Sequence, residues 1–167
     1  MITCGSWEDI WLNEGFATYL SGLCYEFLEP ELWKPFREKM VANGTYLDEG
    51  SVFCDDTSSV SRIFSGALSY SKGAMVLHML RQLIGDSAFF SGVRSYAQDP
   101  TVQYSFSRTA TLITHFESAC QCDLDPFFTE WYAGSGFPRY TAYWANLEQD
   151  KVRVQLFQSG SAGDAMF

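Results

Sequence analysis

A single carboxylate stands inside a long apolar segment near the start of the sequence. Between Trp11 and Leu23, Glu14 is the only charged residue, and its neighbours include large aromatic and aliphatic side chains. The spacing predicts a helix that is apolar on nearly all sides, which is typical of burial inside a larger assembly. An ionised carboxylate in such surroundings needs a cation, a metal ion or a full set of hydrogen bonds. Glu14 is therefore a candidate metal ligand, and pairing with Lys or Arg is the alternative that the residues alone favour.

Helical patterns surround this segment. Residues 7 to 28 predict one long helix, which ends at Glu29 because Pro30 suits the first turn of a following helix. Residues 43 to 68 are rich in Gly, Ser, Asp and Thr and predict a loop. The other predicted helices span residues 30–41, 71–84, 86–97, 107–120 and 125–132. Asp86-Ser87 is the predicted N-terminal cap of the helix over 86–97, and Ser107 is that of the helix over 107–120.

The spacing of apolar residues changes from a helical to an alternating pattern after Gly136. Apolar residues then alternate with polar ones in two short runs, joined by Leu147-Glu148-Gln149-Asp150, and this pattern predicts a β-hairpin. The alternating residues are Tyr140, Ala142 and Trp144 in the first run and Val152, Val154 and Leu156 in the second. An isolated hairpin is marginally stable in water, so we expect these strands to begin a β-domain.

The amino-acid composition and net charge argue against some classes of function. The chain has 167 residues, a formal net charge of −9 and 47% apolar residues. The acidic balance argues against a nucleic-acid partner, whose binding needs a basic surface. No run approaches the roughly 18 to 20 consecutive apolar residues that cross a bilayer, so no transmembrane segment is predicted. The sequence leaves the cellular compartment open.

Five cysteines form no recognisable disulfide scaffold. Cys24 falls in a helical pattern and is expected to be a small core residue. The pair Cys120 and Cys122 could hold a metal ion, but a single C-x-C without a second pair is a weak signal.

The segment Trp11-Leu12-Asn13-Glu14-Gly15-Phe16-Ala17 resembles the third-ligand segment of a zinc aminopeptidase family. This gluzincin family includes alanyl and puromycin-sensitive aminopeptidases and leukotriene hydrolase. There an HExxH helix supplies two zinc-binding histidines and a general base, and a Glu in the W-L-N-E-G-F-A segment supplies the third ligand. The resemblance implies that Glu14 is a zinc ligand and that Asn13 supports the site.

Two later segments extend the resemblance. The run from Leu68 to Leu80 is similar to the family's Y-x-K-G-A-x-V-L segment, whose tyrosine donates a hydrogen bond to the oxyanion of the reaction. Tyr70 takes that position, and Lys72 either supports the site or caps a carbonyl group. The run from Leu124 to Pro138 resembles the family's passage from the catalytic domain into its β-domain.

The resemblance implies a mainly α fold, the helical C-terminal lobe of a thermolysin-like metallopeptidase domain followed by a short β-hairpin. Residues 1–136 would form the incomplete helical lobe, and residues 137–167 would begin a truncated β-domain. Zinc is the implied cofactor and a peptide is the implied substrate of the parent protein.

One departure from the family pattern is large, because no HExxH occurs in these 167 residues. The second histidine would fall before Met1, so we expect a fragment of the parent enzyme. His78 and His115 lie on different predicted helices and lack the four-residue spacing that lets two histidines share one metal. A rebuilt site of Glu14, His78 and His115 is therefore not expected.

Three further expectations follow for the isolated chain. It should bind zinc weakly or not at all, it should not cleave aminoacyl substrates, and Glu14 should lack its metal partner and be open to water, protonated or paired with a neighbouring cation. The helix side that carries Glu14 should be exposed, which favours self-association. The alternative is a non-catalytic relative that serves as a binding or structural module.

Overall fold

A helical body and a β-hairpin follow one another along the chain. The computed structural model describes residues 2–148 and 150–163. The helices are α1 (Trp11–Leu28), α2 (Pro30–Gly44), α3 (Val60–Ile63), α4 (Gly73–Gln98), α5 (Thr109–Cys120) and α6 (Asp125–Phe128), and the strands are β1 (Thr3–Cys4), β2 (Phe106–Ser107), β3 (Pro138–Asn146) and β4 (Val152–Gly160). The mainly α fold with a short hairpin confirms the prediction.

The first predicted helix is divided. A short 3₁₀ turn covers Trp7–Asp9, and the Ser6 side chain accepts the Glu8 N–H at its start. Helix α1 then begins at Trp11. The next helix runs to Gly44, beyond the predicted end near Val41, and the Thr45 N–H closes its last turn on the Val41 carbonyl.

Helix α1 is buried on one side only. Its buried residues are Trp11, Leu12, Gly15, Tyr19 and Gly22. The opposite stripe is exposed and contains Ala17, Leu20, Cys24, Phe27 and Leu28. The prediction of a core position for Cys24 is therefore wrong, because that thiol lies on the stripe that no described residue covers.

Helix α4 contains the predicted interruption. Gly85 has φ 81° and ψ 158° between two helical stretches, a backbone conformation that glycine adopts readily. Before α4, the chain forms a π-helical turn over Gly66–Lys72, in which the Tyr70 N–H donates to the Ser65 carbonyl. The predicted helix start at Ser71 lies inside this wider turn. Single π turns of this kind occur frequently at functional sites.

The predicted Ser107 cap is wrong. Ser107 belongs to β2, which pairs in parallel with β1, and Arg108 precedes the first residue of α5 without a side-chain cap. A strand of two residues is too short to show an alternation of apolar and polar residues, so the sequence pattern does not predict this pairing. The loop prediction for residues 43–68 holds except at three places: α2 runs to Gly44, α3 forms a single turn, and the π-helical turn begins at Gly66.

The hairpin matches its predicted pattern. Antiparallel pairing sets Tyr140 opposite Gln158 and Trp144 opposite Val154, so the alternating apolar residues share one face. That face is exposed, with Trp144 at 71% of its full accessibility. Gln149 and residues 164–167 of the predicted 137–167 segment lie outside the described residues. The division into a helical lobe and a β-domain stays a prediction.

A buried carboxylate joins the start of α1 to two later elements. Asp9 is 4% exposed. Its oxygens accept hydrogen bonds from the Thr109 hydroxyl at 2.6 Å, the Tyr132 hydroxyl at 2.8 Å and the Arg108 guanidinium at 3.2 Å. The Trp11 indole N–H also donates to Thr109, at 2.8 Å. Burial, together with the negative charge of Asp9, raises the pKa of Tyr132 and keeps its hydroxyl a donor.

The main core lies between α1, α4 and α5. Trp11, Leu77, Leu80, Leu112 and Phe116 are fully buried in it. Among the described residues, no helix combines the length and the apolar character that a membrane span requires.

Helices α1 and α4 approach most closely at two glycines. A Cβ atom built on Gly15 would lie 3.0 Å from the Gly73 carbonyl carbon and 3.2 Å from its Cα. A Cβ built on Gly73 would in turn lie 3.3 Å from the Gly15 Cα. The two backbones are therefore in direct contact, and any side chain at either position would push the helices apart.

We predict that Gly15→Ala destabilises the chain. Alanine favours a helix by about 1 kcal/mol over glycine, but overpacking two helix backbones costs about 1–3 kcal/mol. The net loss should appear as a lower free energy of unfolding in urea. Gly66→Ala is the matched control, because a Cβ there meets nothing within 4 Å. A Gly15→Ala chain that is as stable as the Gly66→Ala chain would contradict the close approach.

Candidate functional site

The structure brings Glu14 and Tyr70 together. Glu14 lies on α1 directly before Gly15, and Tyr70 lies in the π-helical turn just before Gly73. The Tyr70 phenol lies close enough to the Glu14 carboxylate for the two groups to interact. Burial, and then this interaction with Glu14, raise the pKa of Tyr70 above its ordinary value. The tyrosine therefore stays protonated and is a hydrogen-bond donor beside the carboxylate.

Glu14 was expected to lack its metal partner and to be open to water, protonated or paired with a neighbouring cation. In the structure the neutral Tyr70 side chain lies beside it. The Glu14 side chain is half-buried, so it also keeps access to solvent.

An open cleft of about 680 Å³ adjoins Glu14. Its wall combines polar groups with aromatic rings, and the lining includes Cys4, Trp7, Glu8, Asn13, Phe64, Phe106 and Arg108. The Arg108 guanidinium pairs with Glu8 at 3.1 Å across this wall. Glu14 thus faces a space large enough for a peptide side chain, and its carboxylate can meet a ligand there.

Asn13 supports the cleft wall. Its Oδ1 accepts the Cys4 N–H at 2.8 Å, and its Nδ2 donates to the Thr3 hydroxyl at 3.0 Å. These two bonds fix β1 against the helix that carries Glu14. The contacts of Asn13 therefore run to the wall of the cleft rather than into its open space.

Lys72 caps two carbonyl groups. Its ammonium donates to the Gly136 carbonyl at 2.7 Å and to the Gly50 carbonyl at 2.9 Å. The side chain is buried, and this burial, together with the positive charge of Arg62, lowers the pKa of Lys72 to about 8. Of the two roles considered from the sequence, the contacts are those of a carbonyl cap that ties the π-helical turn to the segment before β3.

The two histidines lie away from Glu14. His115 is bonded to Ser95 at 2.9 Å and to Asp99 at 3.0 Å. His78 packs against the rings of Tyr19 and Trp33. Burial, with Arg37 and Arg81 nearby, lowers the pKa of His78. Its buried Nδ1 has no hydrogen-bond partner in the described part of the chain.

The donor set fits zinc only in part. A carboxylate is an ordinary zinc ligand, and Glu14 presents one on the cleft. Within residues 2–148 and 150–163, only Glu117, Asp123 and Asp125 form a group of three ligand side chains within 4.8 Å of one another, and Glu14 is not in it. A zinc ion at Glu14 would therefore need its other ligands from outside these residues.

The pair Cys120 and Cys122, which the sequence offered as a weak metal signal, takes another form. The two cysteines are joined by a disulfide, with Cα atoms 5.2 Å apart. A metal ion cannot use these sulfurs as thiolates while the bond is intact.

Comparison with known proteins decides the family. The family model described as the peptidase family M1 domain matches residues 1–131. The chain belongs to peptidase family M1. This confirms the resemblance that the segments around Glu14 and Tyr70 carry.

Curated M1 relatives match the chain over most of its length. It is 29% identical to aminopeptidase M1 of Arabidopsis thaliana over 175 residues, covering 100% of this chain and 20% of the relative. It is 31% identical to the mitochondrial aminopeptidase 2 of Saccharomyces cerevisiae over 147 residues, covering 83% of this chain and 15% of the relative. The chain spans 15% to 20% of the length of these relatives.

Solved M1 structures share the fold. Aminopeptidase A of Legionella pneumophila, solved with aspartic acid, superposes with a TM-score of 0.70 at 19% identity, over 94% of this chain and 18% of that one. A two-domain M1 zinc metallopeptidase bound to L-tryptophan gives 0.65 at 28% identity, over 78% of this chain and 28% of that one. The helical arrangement is therefore that of an M1 peptidase domain, as the resemblance implied.

Three residues that position this candidate site are not evident as such in the sequence. Gly15 and Gly73 set the helix contact, and Asp9 anchors the start of α1. A signal was present for the glycines, since each closely follows a candidate functional residue in its motif. For Asp9 no signal was available, because its partners Thr109 and Tyr132 lie 100 and 123 positions away.

We predict a defined pH dependence from Lys72. Between pH 8 and pH 10.5 the unfolded chain keeps a proton that the folded chain has lost. The free energy of unfolding of the native chain, relative to Lys72→Met, should therefore rise with pH in this window, by at most about 1.4 kcal/mol per pH unit. Urea unfolding across this range measures the difference.

Lys34→Met is the control for Lys72. The Lys34 side chain is 75% exposed and forms only a surface pair with Glu38 at 3.8 Å. Its removal should change the free energy of unfolding little, because the side chain is solvated. A Lys72→Met difference that falls with increasing pH would contradict the assignment of a lowered pKa.

Proposed function

We propose that this chain is part of a zinc aminopeptidase that removes N-terminal residues from peptides. Two features support the proposal: the membership of family M1, and the proximity of Tyr70 to Glu14, which borders an open cleft. The proximity carries the most weight, because these residues come from motifs more than 50 positions apart and have no shared structural need for each other.

In this proposal Glu14 is the third zinc ligand. Its carboxylate is half-buried and borders the cleft, so one oxygen can meet a cation there. A bound zinc ion supplies Lewis-acid polarisation of the scissile carbonyl and lowers the pKa of a water molecule. Asn13 holds the adjoining wall in register with Glu14 through its bonds to Thr3 and Cys4.

Tyr70 is the proposed oxyanion donor. Its raised pKa keeps the phenol protonated, which suits a group that donates to developing negative charge. Lys72 fixes the turn that carries Tyr70, because its ammonium binds the Gly50 and Gly136 carbonyls. Lys72 thus acts by positioning the turn and not by contact with the substrate.

The remaining groups would come from other parts of the parent protein. Two histidines and the general base of an HExxH segment are absent from these 167 residues. The chain alone therefore carries one of three ligands and no base. It should neither bind zinc tightly nor release amino acids from aminoacyl substrates.

The missing HExxH also favours one alternative function. A relative that lost this motif would keep the helical scaffold as a binding or structural module. The coding sequence upstream of Met1 separates the two cases. An in-frame HExxH shortly before Met1 supports the peptidase, whereas an altered motif or a true start codon supports the module.

We predict the following for the complete gene product. Tyr70→Phe should lower kcat about 10²- to 10³-fold while zinc content is unchanged, because only the transition-state donor is lost. Glu14→Gln should lower both zinc content and kcat. Zinc by metal analysis and hydrolysis of an aminoacyl reporter measure these effects.

Two exposed residues serve as controls for this experiment. Tyr46→Phe and Glu31→Gln make the same chemical changes at positions that are exposed. They should leave zinc content and kcat unchanged. Full activity of Tyr70→Phe, or tight zinc binding and cleavage by the 167-residue chain alone, would contradict the proposal.

We further propose that the isolated chain self-associates through α1. The exposed stripe of α1 continues from Ala17 to Phe27 and Leu28, which are 63% and 78% exposed. Apolar patches of this kind commonly mark an interface.

Light scattering should give the native chain a mass above that of a monomer. Phe27→Ser should return the chain to the monomer mass, whereas Val60→Ser, at an exposed site on α3, should not. A monodisperse monomer of the native chain would contradict this proposal.

A further inference from the structure

The Cys120–Cys122 disulfide lies where one helix ends. Cys120 is the last residue of α5, and Gln121 follows with φ 56° and ψ 41° in the left-handed region. Cys120 is half-buried and Cys122 is exposed, so solvent reaches the pair. Cys4, Cys24 and Cys54 are free thiols.

Bonds other than the disulfide hold this turn. The Gln121 N–H donates to the Glu117 carbonyl at 2.8 Å, and the Gln121 side chain donates to the Ser118 carbonyl at 2.7 Å. The Leu124 N–H donates to the Glu117 carboxylate at 3.0 Å, and the Leu124 side chain is buried. After reduction, these contacts should keep the backbone on both sides of the pair in place and the two sulfurs close together.

Two adjacent thiolates prefer one class of ligand. Soft or borderline d¹⁰ cations such as Zn²⁺ and Cd²⁺ bind thiolate sulfur, and a pre-organised pair chelates them. The carboxylates of Glu117, Asp123 and Asp125, whose oxygens lie within 4.8 Å of one another, flank the pair along the chain. Their negative charge favours a cation over an anion at this end of α5.

We propose that the reduced Cys120–Cys122 pair is a binding site for a soft divalent cation and that the disulfide closes this site. Reduction adds two electrons and two protons to the disulfide, and a thiol or phosphine reductant supplies the electrons and is oxidised. Binding of the cation then displaces the two thiol protons. The site uses none of the groups that the proposed peptidase function requires.

Cadmium is the probe for the test. The chain is reduced with a phosphine, freed of reductant without air and titrated with Cd²⁺. The number of titratable thiols under denaturing conditions should rise from three to five on reduction. The reduced chain should then bind one Cd²⁺, with a thiolate-to-metal absorption band in the ultraviolet and release of two protons, whereas the oxidised chain should show no such band.

Substitutions identify the ligands. Cys120→Ser and Cys122→Ser should each abolish the band, and Cys24→Ser, at an exposed thiol on α1, should retain it. Glu14→Gln should also retain it, which separates this site from the proposed catalytic zinc. Circular dichroism confirms that each variant is folded, and the exposed Cys122 gives a second variant if Cys120→Ser unfolds.

Three outcomes would overturn the inference. They are a band that survives in both Cys120→Ser and Cys122→Ser, equal Cd²⁺ binding by the oxidised chain, and a folded, fully reduced chain that shows no band.

Discussion

The contact between Gly15 and Gly73 is the constraint on which the site depends. With no Cβ on either side, the backbones of α1 and α4 meet at van der Waals distance. Glu14 precedes one glycine directly, and Tyr70 lies one turn before the other. The close approach of the helices therefore sets the distance between carboxylate and hydroxyl. A single methyl group at this crossing would change the site without touching a functional residue.

The second constraint fixes where α1 begins. Asp9 is buried among donors from α5 and from the segment after α6, and Trp11 shares the Thr109 hydroxyl. A buried carboxylate with fewer donors would be costly, so these elements must assemble together. Asn13 then joins β1 to the same helix. The glycine contact sets the spacing of α1 and α4, and the Asp9 network anchors the N-terminal end of α1.

The sequence predicts those parts of the fold that a local pattern encodes. Pro30, Gly85 and the alternation in β3 and β4 each act within a few residues, and each appears in the structure as predicted. The failures have the opposite character. Ser107 pairs with a strand about 100 positions away, and Cys24 is exposed because a helical pattern alone cannot say which side of α1 is covered.

The sequence predicted that Glu14 needs a compensating group, but it did not predict which residue lies beside it. An apolar helix with one carboxylate demands a compensating group, and the structure places the Tyr70 side chain beside Glu14. A phenol carries one proton, so Tyr70 can donate either to Glu14 or to an oxyanion, but not fully to both. Under the proposed function, a Glu14 carboxylate that binds a metal ion would leave the Tyr70 proton free for the substrate. The proximity of the two side chains would then keep this donor beside the metal ligand.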